Sequence, residues 1–440
     1  MAARCIELDQ GWRFHLGEAK RWHRLDHQVC YDMTKAGSEV GDMGVFLNEN
    51  DWRDVAMPHD WCTQMKSDPA AMPSNGYKPR TVGWYYLAFD LPGYDADAQL
   101  LLEFEGVMGE SQVYVNGTHA MRNCSGYTGF FADVSDLMRP GKNNITVRVD
   151  NRMWEGWWYE GAGIYRPVRL IVLPGVNLAH LSAFAHAERD GDAWAAVVSA
   201  TLLNTTDEPV IRSVRARILN VDAHAIEVEP RQIRVAAHAE AGWRERIEIT
   251  NPALWSPDEP NLYRVQIELL ENGESVQIQT LTLGFRQIEL TADQGMLLNG
   301  VPTRVKGICC HQDHAGVGIA VPKALNRYRI EKLKAMGCNA YRCAHNAASE
   351  DFLDLCDELG MLVMAENRHF NPSEDSLSEL DSLVLRARNH PSVFLYSLFN
   401  EEPWQAEERG FRSARRMLRR IRSLDATRAV TAAMNGGALT

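Results

Sequence analysis

From about residue 288 the sequence alternates between short apolar runs and helix-patterned stretches, and that alternation leaves few folds open. Strands are predicted at Arg304-Val-Lys-Gly-Ile308, Asn339-Ala-Tyr-Arg342, Leu362-Val-Met-Ala365, Val393-Phe-Leu-Tyr-Ser-Leu398 and Ala429-Val-Thr-Ala-Ala433. Helices are predicted between them, over about 322–336, 349–359, 376–389 and 404–424. Strands separated by a helix-length connection pair in parallel through right-handed crossovers, because no tight turn can join them.

The first 287 residues follow a different rule. Up to about 176, short alternating runs are broken by Gly, Pro, Asn and Asp, as in Trp84-Tyr-Tyr-Leu-Ala-Phe89, Leu100-Leu-Leu-Glu-Phe104, Gln112-Val-Tyr-Val115 and Asn144-Ile-Thr-Val-Arg-Val149. Asn116-Gly117 is a hairpin signal, since a type I′ turn needs positive φ at both central residues. This series predicts a jelly-roll-like β-sandwich. From about 177 to 287 a second strand-rich stretch has the size of an immunoglobulin-like sandwich, with Ala193–Leu203, Val214–Leu219 and Tyr263–Leu270 as strands. The Pro-rich segment Asn251–Pro260 reads as a loop, because Pro cannot donate to a central ladder.

Charge and cysteine content narrow the setting. Against 46 Lys and Arg stand 58 Asp and Glu, a net charge of −12, which disfavours non-specific binding to phosphate backbones. The N-terminal residues lack the apolar core of a signal peptide, and no apolar run is long enough to span a membrane. Nine cysteines, scattered and odd in number, argue against a disulfide framework. Cys338 and Cys343 have no second pair at zinc-ligand spacing. A cytoplasmic protein is expected.

Functional groups in parallel α/β folds gather at the carboxyl ends of strands. Here those ends carry His311 and Asp313, then Arg342 and His345, then Glu366, Asn367, Arg368 and His369, then Asn400, Glu401 and Glu402. Any one of them can be a satisfied structural residue. Four successive strand ends loaded in this way describe a polar pocket at one rim.

The segment Asn389-His-Pro-Ser-Val-Phe-Leu-Tyr-Ser-Leu-Phe-Asn-Glu401 resembles the acid/base signature of family 2 glycoside hydrolases, which include β-galactosidases and β-glucuronidases. Tyr341-Arg-Cys-Ala-His345, followed by Phe352–Gly360, resembles the family's first barrel signature. Gly161-Ala-Gly-Ile-Tyr-Arg166, with Gly76–Arg80 and Gly83–Tyr85, resembles its sugar-binding domain. Glu366–Phe370 and Thr431–Asn435 look most like bacterial β-galactosidases. The resemblance implies a jelly-roll domain over 1–176, an immunoglobulin-like domain over 177–287, and about five strands of the N-terminal part of a (β/α)8 TIM barrel over 288–440.

It also implies retaining hydrolysis of terminal β-galactosides, with β-glucuronides as the alternative. Glu401 takes the general acid/base position, Asn400 the contact to the sugar 2-hydroxyl, and His311, Arg342, His345 and Glu366 line or support the pocket. The family's nucleophilic Glu lies on a later strand, so no residue is assigned that role and the chain is expected to be silent alone. Glu366 and Glu402 do not fit that role, because the Glu402 side chain diverges from its neighbour Glu401 and Glu366 comes from the third strand, on the wrong side of the pocket. Ala365 replaces the family's Asp before Glu366. No cofactor is expected, and the divalent cation of some relatives has no clear ligand set. Open sheet edges predict homo-oligomerisation or association with a missing barrel half.

Two other functions compete. The aromatics Trp154, Trp157, Trp158 and Tyr159 could stack on saccharide faces, which would make the chain a carbohydrate-binding module without hydrolysis. Arg409, Arg412, Arg415, Arg416, Arg419, Arg420 and Arg422 form the basic face of an amphipathic helix whose apolar side is Phe411, Ala414, Leu418 and Ile421. The outer helix of a barrel explains this face with no nucleic-acid partner.

Overall fold

The Asn116-Gly117 pair makes the expected turn in the computed structural model, with φ of 49° and 82°, and joins strands Glu110–Val115 and Thr118–Asn123. The structure describes residues 2–18, 52–220 and 224–435. These fall into two units, one of Arg4–Val172 with Asp313–Pro322, the other of Met1–Ala3, Leu173–Gln312 and Lys323–Thr440.

In the first unit a six-stranded antiparallel sheet runs in the order Arg53–Val55, Trp12–Leu16, Val82–Leu91, Gly141–Asp150, Glu110–Val115, Thr118–Asn123. A four-stranded sheet has the order Arg4–Glu7, Val168–Leu173, Gln99–Phe104, Phe130–Asp133. Inward side chains of both form one core around Trp12, Phe14, Trp61, Tyr85, Leu100 and Phe104, all but fully buried. Each such side chain contributes roughly 1.5–3 kcal/mol on burial. Gly83 lets the Trp61 ring lie on its strand, since a Cβ there would stand 2.6 Å from Trp61 Cζ3.

Residues 313–322 join this unit through Asp60. Its carboxylate accepts from Cys62 N (3.0 Å), Ala162 N (3.1 Å), Ile319 N (3.1 Å) and the Tyr159 hydroxyl (2.9 Å). Burial pushes the Asp60 carboxyl above its ordinary range, against these donors.

The second unit begins with the immunoglobulin-like sandwich. Ala193–Asn204 pairs with Val176–Leu178, Phe184–Asp190 and Ala239–Ile249 in one sheet. In the other, Val210–Leu219 pairs with Ala225–Glu227, Arg231–Val235 and Tyr263–Glu271. The five-stranded parallel sheet follows, with strands in sequence order: β1 (Gly307–Cys310), β2 (Ala340–Cys343), β3 (Leu362–Glu366), β4 (Val393–Asn400) and β5 (Ala429–Ala433). Between them lie α1 (Lys323–Ala335), α2 (Glu350–Leu359), α3 (Glu374–Ala387) and α4 (Glu408–Leu424).

Local chemistry sets these boundaries. Ser349 caps α2 by accepting from Phe352 N, Ser373 caps α3 by accepting from Ser376 N, and Gly360 ends α2 at φ 70°. β1 starts three residues later than predicted, because the Asn339 side chain bonds Lys306 N (2.7 Å) and Arg304 O (2.9 Å) where a ladder would begin. In α4 the buried face is Gly410, Ser413, Met417 and Ile421. Phe411, expected on that face, is 56% exposed. The basic side of α4 is largely matched by acids, with Arg409 to Glu407, Arg412 to Glu408, Arg416 to Glu374 and Arg420 to Asp381. No helix among the described residues is long and apolar enough to cross a membrane.

The period-2 alternation of the parallel strands sorts their side chains. Tyr341, Cys343, Val363, Ala365, Tyr396 and Leu398 pack with the helices in one core. Arg342, Glu366 and Ser397 therefore belong to the opposite face of the sheet.

Candidate active site

Glu366 closes β3 and is completely buried. Its register partner on β4 is Ser397, whose hydroxyl donates to Glu366 Oε2 at 2.8 Å. From β2, Arg342 donates through Nε to Oε2 (2.9 Å) and through Nη2 to Oε1 (3.0 Å). His345 Nδ1 stands 2.6 Å from Oε1 and 3.3 Å from Arg342 Nη2. Both oxygens are thus engaged, and the buried charge is answered by a guanidinium that shares its face. Burial disfavours the Arg342 cation, but the charge and hydrogen bonds of Glu366 outweigh it and hold Arg342 protonated above its ordinary range.

The same guanidinium fixes Asn400 at the end of β4. Arg342 Nη2 donates to Asn400 Oδ1 at 2.6 Å, which sets the amide so that its Nδ2 donors have no partner among the described residues. His311, after β1, meets His345 edge to face with ring centroids 5.5 Å apart. The structure therefore gathers His311, Arg342, His345, Glu366 and Asn400 into one connected cluster, with a non-proline cis peptide between Ala344 and His345. Ser397 belongs to it as well and was missed by sequence reasoning. A polar residue midway along an otherwise apolar strand was the available signal.

Glu401 follows Asn400 at φ 50°, in the left-handed region. Its N–H donates to Ala433 O on β5 at 2.8 Å, and its side chain is exposed. A non-glycine residue held there costs about 1–3 kcal/mol, and such outliers cluster at functional sites. Glu402, half-buried, is pushed above the ordinary carboxylate range by burial, with Arg368 and His369 opposing the shift. His369 is tied to α3 through Glu379 at 2.7 Å, and the buried Asn367 side chain donates to His369 O at 2.6 Å. Asp313 lies in the other unit.

Among the described residues one grouping has metal-like geometry, Asp354, Asp357 and His390. Its central carboxylate is already used, accepting from Ser392 N (2.9 Å) and His390 Nδ1 (2.7 Å), so the donor set does not fit a cation. Of the four clustered aromatics, Trp158 donates to the Tyr127 hydroxyl and Tyr159 to Asp60. Trp154 and Trp157 are 57% and 71% exposed.

Three models of one family match in succession. The sugar binding domain of glycosyl hydrolases family 2 matches residues 25–174, a second model of the family residues 179–286, and its TIM barrel domain residues 288–439. A β-galactosidase of Bacteroides ovatus, BoGH2A, is 31% identical over 425 residues, covering 90% of this chain and 47% of that protein. A β-glucuronidase of Bacteroides fragilis is 27% identical, over 80% of this chain and 54% of that protein. The crystal structure of a family 2 member from Bacteroides cellulosilyticus superposes with a TM-score of 0.87 at 28% identity, covering 99% of this chain and 58% of that one. The chain spans about half the length of the curated relatives it matches. It belongs to glycosyl hydrolase family 2.

Proposed function

We propose that this chain serves the retaining hydrolysis of terminal β-galactosides and carries the acid/base half of the chemistry. Retention needs two carboxylates about 5–5.5 Å apart across the anomeric carbon. Glu401 is the first of them: it protonates the departing glycosidic oxygen, then takes a proton from the water that releases the sugar. Asn400 Nδ2 donates to the sugar 2-hydroxyl, a contact that strengthens as positive charge develops on the ring. Arg342 and Glu366 hold that amide in place, and His345 and His311 complete the polar wall. The observation that carries this reading is the bonded series Ser397–Glu366–Arg342–Asn400, which ends one residue before Glu401.

The second carboxylate has no assigned residue, so the 440-residue chain alone is expected to turn over no aryl β-galactoside. Binding tests the assignment without turnover. A basic galacto-configured iminosugar, titrated by calorimetry, is expected to lose at least tenfold in affinity in Glu401→Gln, because a carboxylate is the partner of its cation. Unchanged affinity, or aryl β-galactoside turnover abolished by Glu401→Gln, would sink the respective claim.

Relatives named as β-glucuronidases support a β-glucuronide reading equally, and a glucurono-configured iminosugar run in parallel decides between the two. The exposed Trp154 and Trp157 favour a further reading, saccharide binding without hydrolysis. Glycan-array binding that survives Glu401→Gln and is lost in Trp157→Ala would select it.

A further inference from the structure

At the end of the parallel sheet opposite the strand-end cluster, the immunoglobulin-like sandwich and the starts of β4 and β5 line a half-open cavity of about 280 Å³. β4 rises about 3.3 Å per residue, so Val393 at its start lies roughly 23 Å from Asn400. Leu283, Ile288 and Phe394 supply apolar wall, and Arg286, Arg428 and His186 supply polar wall.

The two guanidiniums differ in one respect. Arg428 is answered by Asp425, 2.6 Å from its Nη1, and its remaining donors reach Val393 O (2.8 Å) and His390 O (3.0 Å). Arg286 makes a single hydrogen bond among the described residues, from Nη2 to Val393 O at 2.6 Å. No carboxylate among the described residues lies within ion-pair distance of it, and its Nε is buried with no acceptor. Burial, and then Arg428, disfavour the Arg286 charge, and the more distant Asp357 and Asp425 offset this only in part. The His186 ring contributes a second buried nitrogen, Nδ1, without a partner. A half-buried guanidinium with no carboxylate in contact with it is costly, and an anion of the right size removes that cost.

We infer that this cavity binds a small organic carboxylate, with Arg286 as the guanidinium that anchors it. Size and lining select the class. At about 30 Å³ per water-sized group the space takes roughly nine heavy atoms, which matches an aromatic or branched aliphatic monocarboxylate. The apolar wall receives its body, and Arg286 receives its oxygens. An inorganic oxyanion leaves Leu283, Ile288 and Phe394 uncovered.

The test is equilibrium binding of benzoate to the 440-residue chain, with benzyl alcohol as neutral isostere and inorganic phosphate as the competing source of negative charge. Benzoate is expected to bind saturably in the millimolar range, at least tenfold more tightly than benzyl alcohol or phosphate. Arg286→Met is expected to weaken benzoate at least tenfold, since a hydrogen bond to a charged group is worth about 1.5–3 kcal/mol. Should Arg286→Met fail to fold, Ala187→Phe, which fills the cavity from another wall, must abolish binding instead. No saturation by 20 mM (about four times the expected dissociation constant), equal binding of the alcohol, tighter binding of phosphate, or retention in the folded variants would each overturn the inference.

Discussion

Replacing Glu366 by Gln tests the reasoning about the strand-end cluster most directly. The substitution keeps the shape and removes one charge, leaving Arg342 beside a neutral amide on a buried face. Breaking a buried ion pair from one side costs about 3–5 kcal/mol. The Arg342 side chain keeps 20% of its exposure and its bond to Asn400, so about 2–4 kcal/mol is the expected loss. Arg342→Met leaves the complementary orphan, a fully buried carboxylate still facing His345 and Ser397, and costs a similar amount. The double variant has no unpaired charge, so its loss falls short of the sum of the two by at least about 1.5 kcal/mol. Urea unfolding followed by far-UV circular dichroism measures all four proteins, reading the transition that the single variants move. Iminosugar titration supplies the functional counterpart, because Asn400 loses its orientation whenever Arg342 does. Losses that add to within about 0.5 kcal/mol would refute the claim that Glu366 and Arg342 form one coupled pair.

Two further outcomes follow from neighbouring residues. Burial alone would raise the Asp425 carboxyl, but Arg428, with Thr427 and Tyr396, outweighs it and holds the group at about 2. A folded-state value below the unfolded one near 3.9 gives stability that is present above pH 4 and lost as pH falls from about 4 to 2; about 2–3 kcal/mol is at stake, and Asp425→Asn should flatten that limb of a urea-midpoint profile. Glu401→Asn is expected to raise stability by about 0.5–1 kcal/mol, because Asn tolerates the left-handed conformation that Glu401 holds at φ 50°; a destabilised variant would show that the Glu401 side chain makes a contact worth more than the strain.

How much of this could be read from residues alone depended on the range of the interaction. Asn116-Gly117 acts within its own turn, and the hairpin it implies lies where the structure has it, whereas the helix predicted over 376–389 runs over Glu374–Ala387, with Ser373 as its cap. The start of β1 was misplaced because it is decided by the Asn339 side chain, 33 residues away from the backbone it intercepts. Residues 313–322 were read with the parallel sheet because they follow its first strand; they join the other unit through Ile319 N and Asp60, 259 residues apart. No local pattern contains such a contact.

The strand-end cluster shows the same limit within a single site. Residue types at four consecutive strand ends offered eleven candidates, and the family resemblance narrowed them to a set that includes His311, Arg342, His345, Glu366 and Asn400. Roles were a different matter. Glu366 and Glu401 are both carboxylates after an apolar strand, yet Glu366 is sealed by four hydrogen bonds from three residues, whereas Glu401 is exposed on a left-handed backbone. A sealed carboxylate can orient neighbours but has no lone pair left for a substrate. An exposed one held in a disfavoured conformation can meet a ligand, and its conformational cost needs a reason. Register makes the division: Glu366 pairs with Ser397 inside the ladder, while Glu401 stands one residue beyond Asn400, where β4 ends. The positioning by Glu366 and the proton transfer proposed for Glu401 thus rest on one strand pairing, and a shift of that pairing by a single residue would exchange the faces on which Ser397 and its neighbours lie.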